Sequence, residues 1–200
     1  MAASGTGAAQ LRDRVRGAYS AAAERPREEH PFPVGREFAK SIGYPHKLLS
    51  TLPSVAVDAF AGVSNVSLFA DLRPGATVLD LGCGSGTDTL IASQRVGRRG
   101  KVIGVDFSEA MLSRAREALA EAGVRNVQLR ASDAERLPIE DEKIEVALVN
   151  GIFNLNPFRH RIFHELARVI CRGGRVYAAE LILSQPLPPE TRNSETNWFA

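Results

Sequence analysis

The stretch Asp80-Leu81-Gly82-Cys83-Gly84-Ser85-Gly86 carries the strongest chemical signal in this 200-residue chain. Alternating glycines let a backbone turn sharply and bring its amides against a ligand with no Cβ in the way. Asp106 closes the next apolar run, where a carboxylate can accept hydrogen bonds from both hydroxyls of a ribose. Those features fit several nucleotides, and Asp80, just ahead of the loop, discriminates among them. A dinucleotide brings a doubly negative pyrophosphate to the glycines, which a neighbouring carboxylate repels. S-adenosylmethionine brings an ammonium and a sulfonium, both positive, and suits that carboxylate. Thr87 also stands where the dinucleotide pattern has glycine, which disfavours a nicotinamide-dependent oxidoreductase. Two plainer readings stay open: a tight turn without a ligand, and an Asp80 that caps the loop's own amides.

Other residues at the ends of apolar runs extend the candidate set. Ser132-Asp133-Ala134 follows the third run, where Asp133 is either an acceptor for the adenine amino group or a turn aspartate. Phe107 and Met111 either flank the adenine ring or belong to the core. Asn150 ends the fourth run, beside the sulfonium in this architecture. The cofactor set is therefore Asp80, Gly82, Cys83, Gly84, Gly86, Asp106, Phe107, Met111, Ser132, Asp133, Ala134 and Asn150. Cys83 reads as a small loop residue, with no base near it in sequence to make it a nucleophile. In-line transfer of a methyl group from sulfonium to nucleophile relies on positioning and on a site shaped to the developing charge. A hydroxyl or carbon-acid acceptor needs a general base as well. The candidates are His30, His46, His160 and His164, of which His160 and His164 share a helix face and read as an exposed pair. Tyr19 is placed to cover the cofactor from the first helix. No catalytic residue is assigned.

An alternation of strands and helices must hold these residues. Residues 1–8 are small and polar and are expected to be disordered. Leu11, Val15, Ala18 and Ala22 predict a helix over 9–24, and the prolines of 25–36 break it. A second helical stretch over 37–51 is interrupted near Gly43 and Pro45, and 52–70 gives no clear element. Strands are expected at 77–82, 101–106, 127–132, 144–151 and 175–183, with helices at 86–96 and from Ser108 to about Ala122. Asn156-Pro157 opens a last helix that buries Phe158, Ile162, Phe163, Leu166, Val169 and Ile170 and stops at Gly173-Gly174. Near-continuous apolar strands alternating with helices specify a doubly wound, mostly parallel α/β sheet. The chain divides into a helical cap or lid (1–70), a cofactor-binding domain (71–184) and a tail (185–200).

Composition excludes other classes. Lys and Arg number 25 against 23 Asp and Glu, with no basic stripe interleaved with aromatics, so no nucleic-acid partner is expected. Cys83 and Cys171 stand in neither a CxxC nor a Cys/His cluster, so no metal is expected. No apolar stretch is long enough to span a bilayer, and MAASGTGAAQ lacks the features of a secretory signal. Arg12, Arg14 and Arg16 in an Ala-rich segment faintly suggest a transit peptide, against which Asp13 and Glu24 count. A reduced, cytoplasmic setting follows.

TVLDLGCGSG, VIGVDFSEAML, SDAERLP and RVICRGGRVY together resemble the S-adenosylmethionine-dependent methyltransferase superfamily across roughly residues 73–183. The resemblance implies a Rossmann-like sheet, S-adenosylmethionine as cofactor and a small-molecule methyl acceptor. It assigns cofactor contacts to the Gly82–Gly86 loop, Asp106, Asp133 and Asn150. GYPHKLLSTLP, FADLRPG and VNGIFNLNP resemble the arsenite methyltransferases more narrowly. That subgroup holds arsenic(III) through cysteine thiolates, whereas this chain has Gly62-Val63-Ser64-Asn65 and Gly151 at those positions, so an arsenic site is not expected. The same resemblance places acceptor contacts near Tyr44 and His46. It also implies further strands after the fifth. Only QPLPPETRNSETNWFA and Ser184 follow Leu183, so the fifth strand is expected to be an open edge covered by the tail or a partner chain, with reduced stability if left bare. A truncated or inactive cofactor-binding protein is the alternative to an active enzyme.

Overall fold

The structure is a computed structural model that describes residues 5–182 and 184–185. Five helices precede the first strand: α1 (Gly5–Glu24), α2 (Arg36–Ser41), α3 (His46–Ser50), α4 (Ser54–Val57) and α5 (Val66–Phe69). There follow β1 (Thr77–Leu81), α6 (Thr87–Val96), β2 (Lys101–Asp106), α7 (Glu109–Glu121), β3 (Val127–Ala131), β4 (Ile144–Asn150), α8 (Arg159–Val169) and β5 (Ile170–Ala179). The sheet order is β3-β2-β1-β4-β5, and every pairing is parallel.

The layers follow from strand alternation. Val78 and Leu79 point to opposite faces, as successive strand residues must. Leu79 and Leu81 join Ile103, Val105 and Val149 beneath Ile162, Leu166 and Val169 of α8. Val78, Val102, Val146 and Leu148 pack on the other face against Ala92 and Val96 of α6. A neighbouring cluster ties Leu90 and Ile91 of α6 and Leu119 of α7 to Leu49 of α3 and to Leu52 and Phe60 of the turns that follow it. The helix from Ser108 is capped as expected, its hydroxyl accepting from Met111 N at 3.3 Å.

Three expectations are corrected. Residues 5–8 are helical within α1, whereas residues 1–4 and all of the 185–200 tail except Gln185 lie outside the described residues. The last helix begins at Arg159; Asn156 still accepts from Phe158 N at 2.7 Å, and Phe163 is exposed. That helix also ends at Val169, and β5 starts at once with Ile170. Gly173-Gly174 is not a helix stop. Ile144 pairs with Ile170 and Val146 with Arg175, so the glycines lie in an irregularity inside the strand. Among the described residues β5 has β4 as its sole neighbour, and no helix is long and apolar enough to cross a membrane.

Candidate functional site

The chain adds strands outward from β1 to β3, then crosses back to place β4 on the other side of β1. Connections leave the ends of β1 and β4 in opposite directions, and a crevice opens between them. That crevice encloses about 990 Å³, part of it open to solvent. Gly82, Cys83 and Gly84 form its floor, Asp106, Phe107, Met111 and Ser132–Ala134 one wall, and Asn150 begins the other. Arg12, Val15 and Tyr19 of α1, with Ala59–Gly62, close it from above. Every cofactor residue named from the sequence lines this crevice except Gly86, which caps α6.

The glycine loop is set by backbone geometry and by close approach. Gly82 has φ 74°, and a Cβ there would stand 2.1 Å from Ile152 Cδ1, in the segment after β4. The loop amides are held by Asp106, whose Oδ2 accepts from Gly84 N at 2.9 Å and whose Oδ1 accepts from Ser108 N at 2.8 Å. A carboxylate has about four acceptor positions, so those two bonds leave room for ribose hydroxyls. Burial pushes the Asp106 carboxyl up to about 6, opposed by the backbone amides of Ser108 and Gly84. The Cys83 thiol is buried and pushed well up, first by burial and then by Asp106 and Asp80, so it remains a protonated packing group.

Asp80 accepts from the Thr89 hydroxyl, and its carboxyl is raised by burial and then by Asp88. Asp88, in the first turn of α6, accepts from Tyr44 OH at 2.6 Å, from the Ser67 hydroxyl and from Asn150 Nδ2 at 2.9 Å. It too is raised by burial, against those hydrogen bonds. Asn150 Oδ1 accepts from Val63 N at 2.8 Å and Ser64 N at 3.1 Å, while Nδ2 also donates to Ser64 O at 2.7 Å. An amide side chain offers two donors and two acceptor lone pairs. All are spent on protein, so Asn150 joins the 62–65 segment to α6 and has no spare polar position for a ligand.

At the far wall, Asp133 Oδ2 pairs with Arg12 at 2.7 Å and Oδ1 with Arg16 at 3.2 Å. The Arg16 guanidinium lies 5.3 Å from the Phe107 ring centroid. Tyr19 stacks on Phe32 at 4.4 Å, and its hydroxyl is raised by burial and then by Asp106 and Glu180, so it stays protonated. Glu180 accepts from Ile152 N and Phe153 N at 2.7 Å each, holding the segment after β4.

The histidines are not in the site. His46, His160 and His164 are exposed, and His30 Nε2 lies 2.9 Å from Arg25 O. None of them lines the crevice, and Tyr44 is drawn inward to Asp88. The sequence reading missed Asp88, Glu135, Glu180 and the α1 arginines. Only the last had a local signal, since Arg12 and Arg16 are one helical turn apart and so share a face.

Residues 72–199 match a family model described as a methyltransferase domain. The chain belongs to this family. It is a class I S-adenosylmethionine-dependent methyltransferase in fold and family, related to the arsenite methyltransferases. It is 40% identical over 135 residues to an arsenite methyltransferase of Halobacterium salinarum, covering 68% of this chain and 34% of that protein. A demethylmenaquinone methyltransferase of Bacillus cereus is 35% identical over 117 residues, 58% of this chain and 48% of its own. The chain thus spans between a third and a half of the length of these curated relatives. Among solved structures, an arsenic(III) S-adenosylmethionine methyltransferase from Chlamydomonas reinhardtii superposes with a TM-score of 0.61 at 27% identity, over 78% of this chain and 52% of that one. A SAM-dependent methyltransferase from Aquifex aeolicus shares the fold, with a TM-score of 0.56 at 24% identity over 84% and 82% of the two chains.

Proposed function

We propose that this chain binds S-adenosylmethionine in the crevice and methylates a neutral, largely apolar small molecule. The residues present fit the cofactor. Asp80 and Asp88 are buried carboxyls raised by their surroundings, and a cationic ligand beside Asp80 favours its ionised form. A phosphate would push it further the other way. Asp106 has acceptor positions to spare for a ribose, and Phe107 and Met111 offer apolar faces to a purine. When bound, the cofactor supplies a methyl group on an electron-poor sulfonium.

The composition of the acceptor side carries the acceptor reading. Ala59, Phe60, Ala61, Ile152 and Leu155 line it, and the single cation lining the crevice among the described residues, Arg12, is paired with Asp133. An anionic acceptor would meet carboxylates and no counter-charge. No histidine lines the crevice and Tyr19 keeps its proton, so an acceptor that attacks with its own lone pair suits these walls. Asn150, Asp88 and Tyr44 hold the 62–65 segment, and Glu180 the opposite one, at fixed positions around the reacting atoms. Arsenic(III) held by thiolates is not supported by the described residues. The Cys83 sulfur is turned towards Gly104 of β2, and Cys171 opens β5 at the opposite end of the sheet.

The test is single-turnover transfer of labelled methyl from S-adenosylmethionine to paired acceptors of one skeleton, a thioether or a pyridine against its carboxylate-bearing counterpart. Transfer to the uncharged members alone is expected. Preference for the anionic members would overturn the acceptor reading, and calorimetric binding without transfer to any acceptor would favour a cofactor-binding protein without catalysis.

A further inference from the structure

We infer that Glu180 is a positioning residue for methyl transfer, holding from the end of β5 the segment that forms one wall of the acceptor side; this rests on the function proposed above. The amides of that segment are all accounted for. β4 ends at Asn150, and Gly151, at φ 77°, turns the chain so that successive N–H groups converge. Gly151 N donates at 2.9 Å to the carbonyl of Ala179, the last residue of β5. The next amides all go to one side chain. Ile152 N and Phe153 N donate to Glu180 Oε1 at 2.7 Å each, and Asn154 N donates to Oε2 at 3.3 Å. Asn154 Nδ2 donates in turn to Leu181 O. A segment leaving a sheet has no ladder to meet its donors, and here a single carboxyl takes that place.

The segment so held bounds the acceptor side. Ile152 and Leu155 line the crevice, and Ile152 Cδ1 lies directly over Gly82. Phe153 faces away, into the core beneath α8, with its ring centroid 4.6 Å from that of Phe163. Gly151 meets the opposite wall: a Cβ there would lie 3.1 Å from Val63 Cγ1. A shift of 151–155 therefore changes the acceptor side on both walls. The ribose and purine side is built separately, since Asp106, Phe107 and Met111 come from β2, α7 and the turn between them. Glu180 is not among the residues lining the crevice, so it acts through the segment and not on the reacting atoms. Its expected signature is a loss of transfer without a matching loss of cofactor affinity.

The test compares Glu180→Ala, which removes the acceptor oxygens, with Glu180→Gln, which keeps one for Ile152 and Phe153. Each variant is measured for S-adenosylhomocysteine affinity by calorimetry, for single-turnover transfer to the uncharged thioether and pyridine probes, and for hydrogen exchange at residues 151–155. Glu180→Ala is expected to speed that exchange and to slow transfer by about ten- to a hundredfold, the scale of a misplacement of about 1 Å. Affinity should stay within about threefold of the wild-type value. Glu180→Gln should keep transfer within about threefold, which preserves the test if the alanine variant does not fold. Wild-type transfer in Glu180→Ala would overturn the assignment. So would a glutamine variant that loses as much transfer as expected of the alanine one, since the carboxyl would then act by its charge. Affinity that falls in step with transfer would overturn it as well. If the wild-type chain transfers to no probe, the acceptor reading fails instead, and unchanged exchange at 151–155 in Glu180→Ala overturns this assignment by itself.

Discussion

Asp106 shows how one buried carboxyl serves loop and ligand in opposite senses. Its carboxyl is raised from 3.8 to about 6 because burial outweighs the amides of Gly84 and Ser108. A group raised in the folded state contributes its full stability below the unfolded value, and that contribution is lost as pH rises through the folded value. Stability from Asp106 therefore declines between 3.8 and about 6. In the proposed binding mode cofactor affinity runs the other way, since the ionised form of Asp106 is the better acceptor for ribose hydroxyls. The affinity for S-adenosylhomocysteine is expected to rise as pH goes from about 5 to about 7, and any further rise above that belongs to Asp80, whose carboxyl is raised to about 8. Calorimetry across that range checks it, and an equally steep rise in Asp106→Asn would show that another group is responsible. Asp106 and the glycine loop were legible in sequence because their chemistry is local. The Asp88 cluster was not: its partners Tyr44, Ser67 and Asn150 lie 44, 21 and 62 positions away, and nothing short of the fold brings them together.

At the scale of the element, α1 is the part of the site whose attachment is most electrostatic. Leu11, Val15 and Ala22 bury its apolar stripe, but its hold on the crevice wall is Arg12 and Arg16 against Asp133. Partly exposed ion pairs of this kind are worth at most about 1 kcal/mol each. Arg12→Ala with Arg16→Ala should accelerate amide exchange in α1 by about fivefold or more while leaving β1 and β2 unchanged. Hydrogen-exchange mass spectrometry distinguishes this from a general loss of protection, which would mean that α1 is integral to the core. The periodicity that predicted α1 was clear, as were the apolar runs of β1, β2 and β4. The junction of α8 and β5 was not, because a glycine pair signals a helix stop wherever it falls. Here it lies within the strand, beside the register shift between Ile144 and Val146.

Across the whole molecule, the sheet separates the two thiols. Cys83 sits at 7% exposure under the crevice, and half-buried Cys171 lies at the start of the edge strand. A thiol reagent should label Cys171 in the native protein and Cys83 only along the urea transition seen by circular dichroism. Native-state labelling of both at similar rates would show that the β1–β2 end opens on its own. The doubly wound order was legible from the alternation of strands and helices, whereas the position of α1 over the crevice was not, since no local pattern states where a leading helix returns. The sulfur of Cys83 also fills the place a side chain would take on Gly104: a Cβ there would lie 3.1 Å from Sγ and 2.7 Å from Leu129 Cδ2. Positions 83 and 104 therefore divide one small volume between them. A side chain at position 104 would need the end of Leu129 to turn aside and the Cys83 sulfur to yield by a few tenths of an ångström, so the sizes tolerated at positions 83, 104 and 129 are coupled.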